Sequence, residues 1–298
     1  MSNYLEFFKK IKYDEFVESP KINYRNYLNV DLNQKNISNI NSKFSIGIFN
    51  FIKNFINNRF TNKIINVKIK ENNIKQFIIF LDVNNLEDND KIIQLINIYS
   101  KNKRYTMINC IINDKLVYQS NKILSLTDRF INKSYTYKFD VFSRVNYFIA
   151  EKIYENINNL LIPSKYYICM GRDITIPSTL KNEVFENIIV ACHNKNILKN
   201  IDIDNKILIE KKDYYQIISK YTDNLNIFIS AGRKGLGNNL INELIKLKNC
   251  NLIVIWCNND IMLNDFSLLN KKYNINKVVV FNEHPNTENL TTLINFKN

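Results

Sequence analysis

Two patterns in the 298-residue sequence predict an α/β protein in two parts. After about residue 140, short apolar, β-prone runs alternate with helical stretches, which is how a parallel, doubly wound sheet reads. Before that point strand-like runs outnumber helices, as in an α+β domain. The expected boundaries are 1–138 for the first domain and 139–298 for the second. With five glycines and four prolines the chain has few turn signals, and it shows neither an internal repeat nor a long flexible linker.

In the first part, residues 23–32, 43–49, 75–83 and 105–113 read as strands, with KLVYQSN after the last as a return strand. LEDNDKIIQLINIYSKNK (86–103) spaces its apolar residues as a helix does, and 49–60 is a shorter helical candidate. In the second part, 142–161 is a long amphipathic helix with Phe148, Ile149, Ile153, Ile157 and Leu160 on one face. Strands follow at 165–170, 187–192, 206–210, 226–230, 251–257 and 277–282, with helical stretches between them, among them the one after 165–170 and those at 238–248 and 264–273. TTLINF (291–296) reads as an extra strand beside 277–282. The apolar run NLIVIWC ends on Cys257. Cysteine in such a run is often a small core residue, and a thiol at the carboxyl end of a strand is also where an α/β sheet presents a nucleophile.

Composition narrows the function classes. A 45% hydrophobic, 12% aromatic chain can build a core and is not a disordered polymer. The net charge of +13 favours a polyanionic partner such as nucleic acid, although the Asn, Lys and Ile bias of an AT-rich genome inflates lysine. Five cysteines stand at 110, 169, 192, 250 and 257 without a CxxC pair, which argues against a disulfide framework and, with only two histidines, against a metal site. Reduced thiols fit an intracellular protein. No apolar run approaches the ~20 residues of a membrane span. The N-terminus MSNYLEFFKKIKYDEF contains acidic residues and no apolar core segment, unlike a signal peptide.

Five short motifs occur in one order: SPKINYR (19–25), FSRVN (142–146), ISAGRKGLG (229–237), CNND (257–260) and NEHPNTENLTTL (282–293). In that order they resemble the tRNA (uracil-5)-methyltransferase family, a class I S-adenosylmethionine-dependent group, over nearly the whole chain. Family members read SPxxxYR, FxQxN, DPPRxGL, SCNPxT and DxFPxTxHxE. The resemblance implies a class I methyltransferase-type, Rossmann-like C-terminal domain and an N-terminal RNA-binding domain. In the family a thiolate adds to uracil C6, C5 attacks the sulfonium methyl, and a carboxylate removes the C5 proton so that the cysteine leaves. The base is first turned out of its stack.

Carried over by motif, the resemblance makes Cys257 the nucleophile and Arg233 a donor for the developing enolate. The cofactor positions fall on Arg144 and Asn146 of FSRVN, Gly171 of CMGRD (169–173), His193 of VACHN and Ser230 of ISAGRKGLG. Tyr24 and Arg25 fall in the RNA-binding part, where they stack on a base or contact phosphate, or where Tyr24 packs against its own sheet.

The departures are as specific as the matches. Thr291 stands where the family has its proton-abstracting Glu, and Asn289 where it has the preceding His; Glu288, three residues before Thr291, is the substitute carboxylate. Arg144 replaces the Gln of FxQxN, and Ser230, Ala231 and Gly232 replace Asp-Pro-Pro. The first glycine loop keeps one glycine, Gly171, and His193 stands where an acid normally holds the ribose. Each lost partner leaves a buried polar group unpaired at about 1–3 kcal/mol. Arg144 and His193 also bring positive charge towards a cationic sulfonium. Two main readings result. In the first, the chain binds structured RNA, tRNA or rRNA, alone or among other subunits of an RNA-containing assembly, with methyl transfer lost or greatly reduced and no certain cofactor. In the second it is an active uracil-5-methyltransferase using S-adenosylmethionine and Cys257. A third, a protein-interaction role on a borrowed fold, leaves the basic face incidental.

Overall fold

The computed structural model describes residues 12–31, 44–53, 64–83, 90, 94, 97–98, 101, 105–112, 115–119, 125–138, 142–198, 206–210, 213–285, 287 and 290–298. The chain divides into two compact units. One holds residues 20–141 and 145–148; the other holds 142–144, 149–298 and the chain up to Ser19. The strand β1 (Glu15–Glu18) therefore belongs with the C-terminal unit, because it pairs in parallel with the sheet formed there.

The first unit is built on a mixed sheet ordered β2-β3-β4-β5-β6, from β2 (Tyr27–Asp31), β3 (Ile64–Glu71), β4 (Phe77–Val83), β5 (Tyr105–Ile112) and β6 (Lys115–Gln119). A separate hairpin joins β7 (Ser125–Phe130) to β8 (Lys133–Lys138). Residues 43–49, expected as a strand, instead enter the helix α1 (Ile46–Phe51). Ser45 caps it, its hydroxyl accepting from the Ile48 N–H at 3.2 Å. Ile48, Phe51 and Ile52 are buried while Ile46 and Phe49 are exposed, a helical and not an alternating pattern. Most of the 86–103 stretch lies outside the described residues.

The second unit begins with the long helix α2 (Tyr147–Leu160), whose first two residues lie in the other unit. Its sheet is eight-stranded, ordered β1-β14-β15-β13-β12-β9-β10-β11. The strands are β9 (Ser164–Gly171), β10 (Phe185–Cys192), β11 (Lys206–Glu210), β12 (Leu225–Ser230), β13 (Cys250–Trp256), β14 (Asn274–Asn282) and β15 (Thr291–Lys297). All pairings are parallel except those of β15, which lies antiparallel between β13 and β14. The helices α3 (Lys195–Leu198), α4 (Tyr215–Ile218), α5 (Asn238–Leu244) and α6 (Asn259–Leu269) connect the strands. The expected helix after β9 is replaced by two 3₁₀ turns, Pro177–Thr179 and Asn182–Val184. Residues 173–178 are all buried there, so this connection packs as irregular chain.

The strand order reverses between β9 and β12, since β10 and β11 extend one way and β12 and β13 the other. The carboxyl ends of those strands therefore face the place where open α/β sheets bind ligands. At the opposite end of the sheet a ladder of amides, all buried except Asn276, crosses four neighbouring strands. Asn251 Nδ2 donates to Asn226 Oδ1 at 2.6 Å, Asn295 Nδ2 to Asn251 Oδ1 at 2.7 Å, and Asn276 Nδ2 to Asn295 Oδ1 at 2.7 Å. Asn226 Nδ2 closes the ladder on the Ile162 carbonyl and the Ser164 hydroxyl. A one-residue slip would separate these partners, so the ladder selects strand register. Among the described residues no helix is long and apolar enough to cross a membrane.

Replacing the middle amide, Asn251→Leu, takes a donor from the Leu160 carbonyl and from Asn226 Oδ1, and an acceptor from Asn295 Nδ2. The expected loss is about 1–3 kcal/mol for each orphaned group, read from urea unfolding.

Candidate functional site

The carboxyl ends of β9, β12, β13 and β14 gather the residues that the motifs single out. Cys257 directly follows β13, between β12 and β15 in the sheet, and is exposed while the seven residues of that strand are buried. Asn258 caps α6, its side chain accepting from the Ile261 N–H at 3.3 Å. The strand thus delivers the thiol to the surface because the chain must leave the sheet there to start a helix.

Of the expected cofactor positions, Arg144 stands at the centre of a buried network. Arg144 is 8% exposed. Its Nε donates to Asp173 Oδ2 at 2.7 Å and its Nη1 to Glu283 Oε2 at 2.7 Å. Tyr154 donates its hydroxyl to Asp173 Oδ1 at 3.0 Å, and Thr291 donates its hydroxyl to Glu283 Oε2 at 2.9 Å. Burial works against the Arg144 charge, but Glu283 and Asp173 outweigh it and hold the guanidinium above its ordinary value. Burial pushes the Asp173 carboxyl up, against the pull of Arg144. The arginine at the glutamine position and the threonine at the base position are therefore partners in one buried network.

The crevice at the strand reversal is narrow. Gly171 ends β9 with φ +116°, and a side chain there would run into the Ser230 carbonyl at the end of β12. The Asp173 N–H donates to Ser230 Oγ at 3.3 Å. Burial, with the Cys192 and Cys169 thiols, raises the Tyr214 phenol to about 12, against the backbone of Gly171 at the end of β9 and of His193 just after β10. The His193 side chain itself is exposed. At this end of the sheet the Asp173 and Glu283 carboxylates and the Ser230 hydroxyl are already bonded within the chain.

The remaining expected residues lie apart from this network. Arg233 is exposed in the turn after β12. Asn146 is buried in the other unit, bridged to Arg25. In that unit Tyr24 is 7% exposed and packs as a core residue, and Arg25 stands over the Phe44 ring at 5.7 Å. Glu288 and Asn289 lie outside the described residues. Among the described residues no group of three or more His, Cys, Asp or Glu is placed to hold a metal ion. Sequence reasoning missed Asp173, Tyr154, Tyr214 and Glu283. Asp173 and Glu283 stood inside quoted motifs, CMGRD and NEHP, and a buried basic replacement at residue 144 was the signal that carboxylates must lie beside it.

No family model and no curated protein matches this sequence. Solved structures do match in fold. A Pyrococcus abyssi tRNA (uracil-54, C5)-methyltransferase, in complex with S-adenosyl-L-homocysteine, aligns over 99% of this chain and 81% of its own with TM-score 0.72 at 13% identity. A putative methyltransferase, SMU.776, complexed with SAH, aligns over 78% of this chain and 71% of its own with TM-score 0.50 at 11% identity. The fold is that of the class I S-adenosylmethionine-dependent methyltransferases.

Two outcomes follow from the network. Arg144→Met strands two buried carboxylates and is expected to cost about 3–5 kcal/mol in urea unfolding. Because the folded Asp173 pKa lies above its unfolded value, the folded chain binds more protons between those two values. This carboxyl therefore makes stability fall as pH rises through that window. The difference between wild type and Asp173→Asn, followed by urea midpoint across the acid range, is expected to grow towards lower pH.

Proposed function

We propose that this protein is an RNA-binding relative of the tRNA (uracil-5)-methyltransferases in which methyl transfer is lost or greatly reduced. The observation that carries the reading is the Arg144–Asp173–Glu283–Thr291 network. It ties the positions that would hold the cofactor and abstract the proton into a self-satisfied ion cluster. A threonine hydroxyl is no base near neutral pH, and Thr291 here donates a hydrogen bond to Glu283. The motif order, the fold and the positive charge support an RNA partner, and other subunits of an RNA-containing assembly fit the same surface. Cys257 retains the exposure to add reversibly to C6 of a flipped uracil.

One observation favours the alternative, an active enzyme. Glu283 brings a carboxylate within 2.9 Å of the Thr291 hydroxyl, so a base has reached the family position from the end of β14 instead of from β15. Its Oε2 already accepts from both Arg144 and Thr291, which leaves it less free for that role.

RNA carrying 5-fluorouridine separates the two, because fluorine at C5 blocks the final elimination. The expected result is no stable covalent complex with or without S-adenosylmethionine. A cofactor-dependent adduct that disappears in Cys257→Ala would overturn the reading, and Glu283→Gln and Glu288→Gln would then identify the base.

A further inference from the structure

The loop that follows β12 carries chemistry that the cofactor positions do not use. Ala231 to Gly237 reads AGRKGLG, and residues 232–235 close a tight turn in which Gly235 N–H donates to the Gly232 carbonyl at 3.0 Å. Arg233 and Lys234 are the two residues at its tip, and both are exposed. Next to them the backbone is open: a side-chain carbon added at Gly232 would meet nothing within 4 Å.

The other side of the turn is clamped. Asp265 of α6 is 5% exposed, and its Oδ2 accepts from the Leu236 N–H at 2.9 Å and from the Trp256 indole N–H at 2.9 Å. Gly235 has φ +74°, and any side chain there would run into Ile261 and Asp265. One buried carboxylate thus joins the helix α6, the tip of β13 and the basic turn. Burial pushes the Asp265 carboxyl up while its two donors hold it down. Burying this carboxylate against two neutral donors is costly, and that cost fixes the turn in one position.

We propose that the Arg233–Lys234 turn is a phosphodiester-binding finger for RNA and that Asp265 is its positioning residue. The proposal rests on the RNA-binding reading above and adds where the strand is held. The guanidinium fork matches a phosphate's paired oxygens, and the lysine adds a compact second charge. Held on a clamped turn, both lose less freedom on binding than they would on a loose loop. The turn stands beside the strand tip that carries Cys257, so a phosphate bound there lies next to the exposed thiol.

The test is fluorescence anisotropy of a labelled tRNA against the full chain over a salt series. It uses wild type, Arg233→Ala/Lys234→Ala, Asp265→Asn and the triple variant. Losing two phosphate contacts is expected to lower the salt slope by about 1.5. Asp265→Asn alone is expected to weaken binding about tenfold, and in the Arg233→Ala/Lys234→Ala background to change it by less than about twofold, because both act through one turn. Trp256 is the one tryptophan of the chain, so its emission reports on the clamp directly. It is expected to shift when RNA binds wild type and not when RNA binds the Asp265→Asn variant. If that variant fails to fold, Gly235→Ala, whose added carbon runs into Ile261 and the Asp265 carboxylate, displaces the turn while leaving the carboxylate's charge in place and is expected to lower the slope in the same way. An unchanged slope in Arg233→Ala/Lys234→Ala, multiplicative effects, or an equal loss from Lys271→Ala/Lys272→Ala overturns this proposal and leaves RNA binding standing. No binding of RNA by wild type at low salt overturns both, as does variant-sensitive binding to anionic lipid vesicles in place of RNA.

Discussion

The candidate site depends on one buried cation. Arg144 comes from the short segment before α2, and its partners come from the loop after β9 and from the end of β14. A guanidinium buried without partners would cost far more than a domain can spare, so both carboxyl groups must stay close to it. That requirement fixes the loop after β9 and ties α2 to it through Tyr154. It also brings Thr291 into the cluster at the start of β15. The same bonds that stabilise this end of the sheet remove free donors and acceptors from the place where the fold binds its ligands.

The substitutions at the motif positions are best understood together. Taken singly, arginine at the glutamine position and threonine at the glutamate position are departures from the family motifs. In the folded chain they are neighbours in a single network, and Glu283 supplies the carboxylate that both require. Such coupling fits an ion cluster that persists because removing any one member is costly. The crevice between β9 and β12 changes in the same direction, with Gly171 pressed on Ser230 and Tyr214 beside the ends of β9 and β10. The thiol side of the site differs: Cys257 is exposed and the basic turn beside it is ordered by Asp265.

Much of the fold was legible in the sequence. The alternation of strands and helices after residue 140 gave a doubly wound sheet, and the apolar run 251–257 placed Cys257 at a strand tip because seven consecutive buried residues need a central strand. The extra strand TTLINF was legible too, and it pairs with the strand expected beside it. Residues 43–49 were misread because a short apolar run fits either period, and the Ser45 cap decides the matter locally. The helix expected after β9 gives way to 3₁₀ turns, since Asp173 and Tyr167 anchor that segment from either side. The network itself was not legible, because its members lie up to 147 positions apart in sequence (Arg144 to Thr291) and meet only through the sheet order.

The account stands or falls on whether the crevice still accepts the cofactor of its fold. Calorimetric titration of the full chain with S-adenosylmethionine tests this most directly. The account predicts no saturable heat up to millimolar cofactor, because Arg144, Tyr214 and the closed β9–β12 crevice occupy the groups that would bind it. Saturable binding in the micromolar range would contradict it.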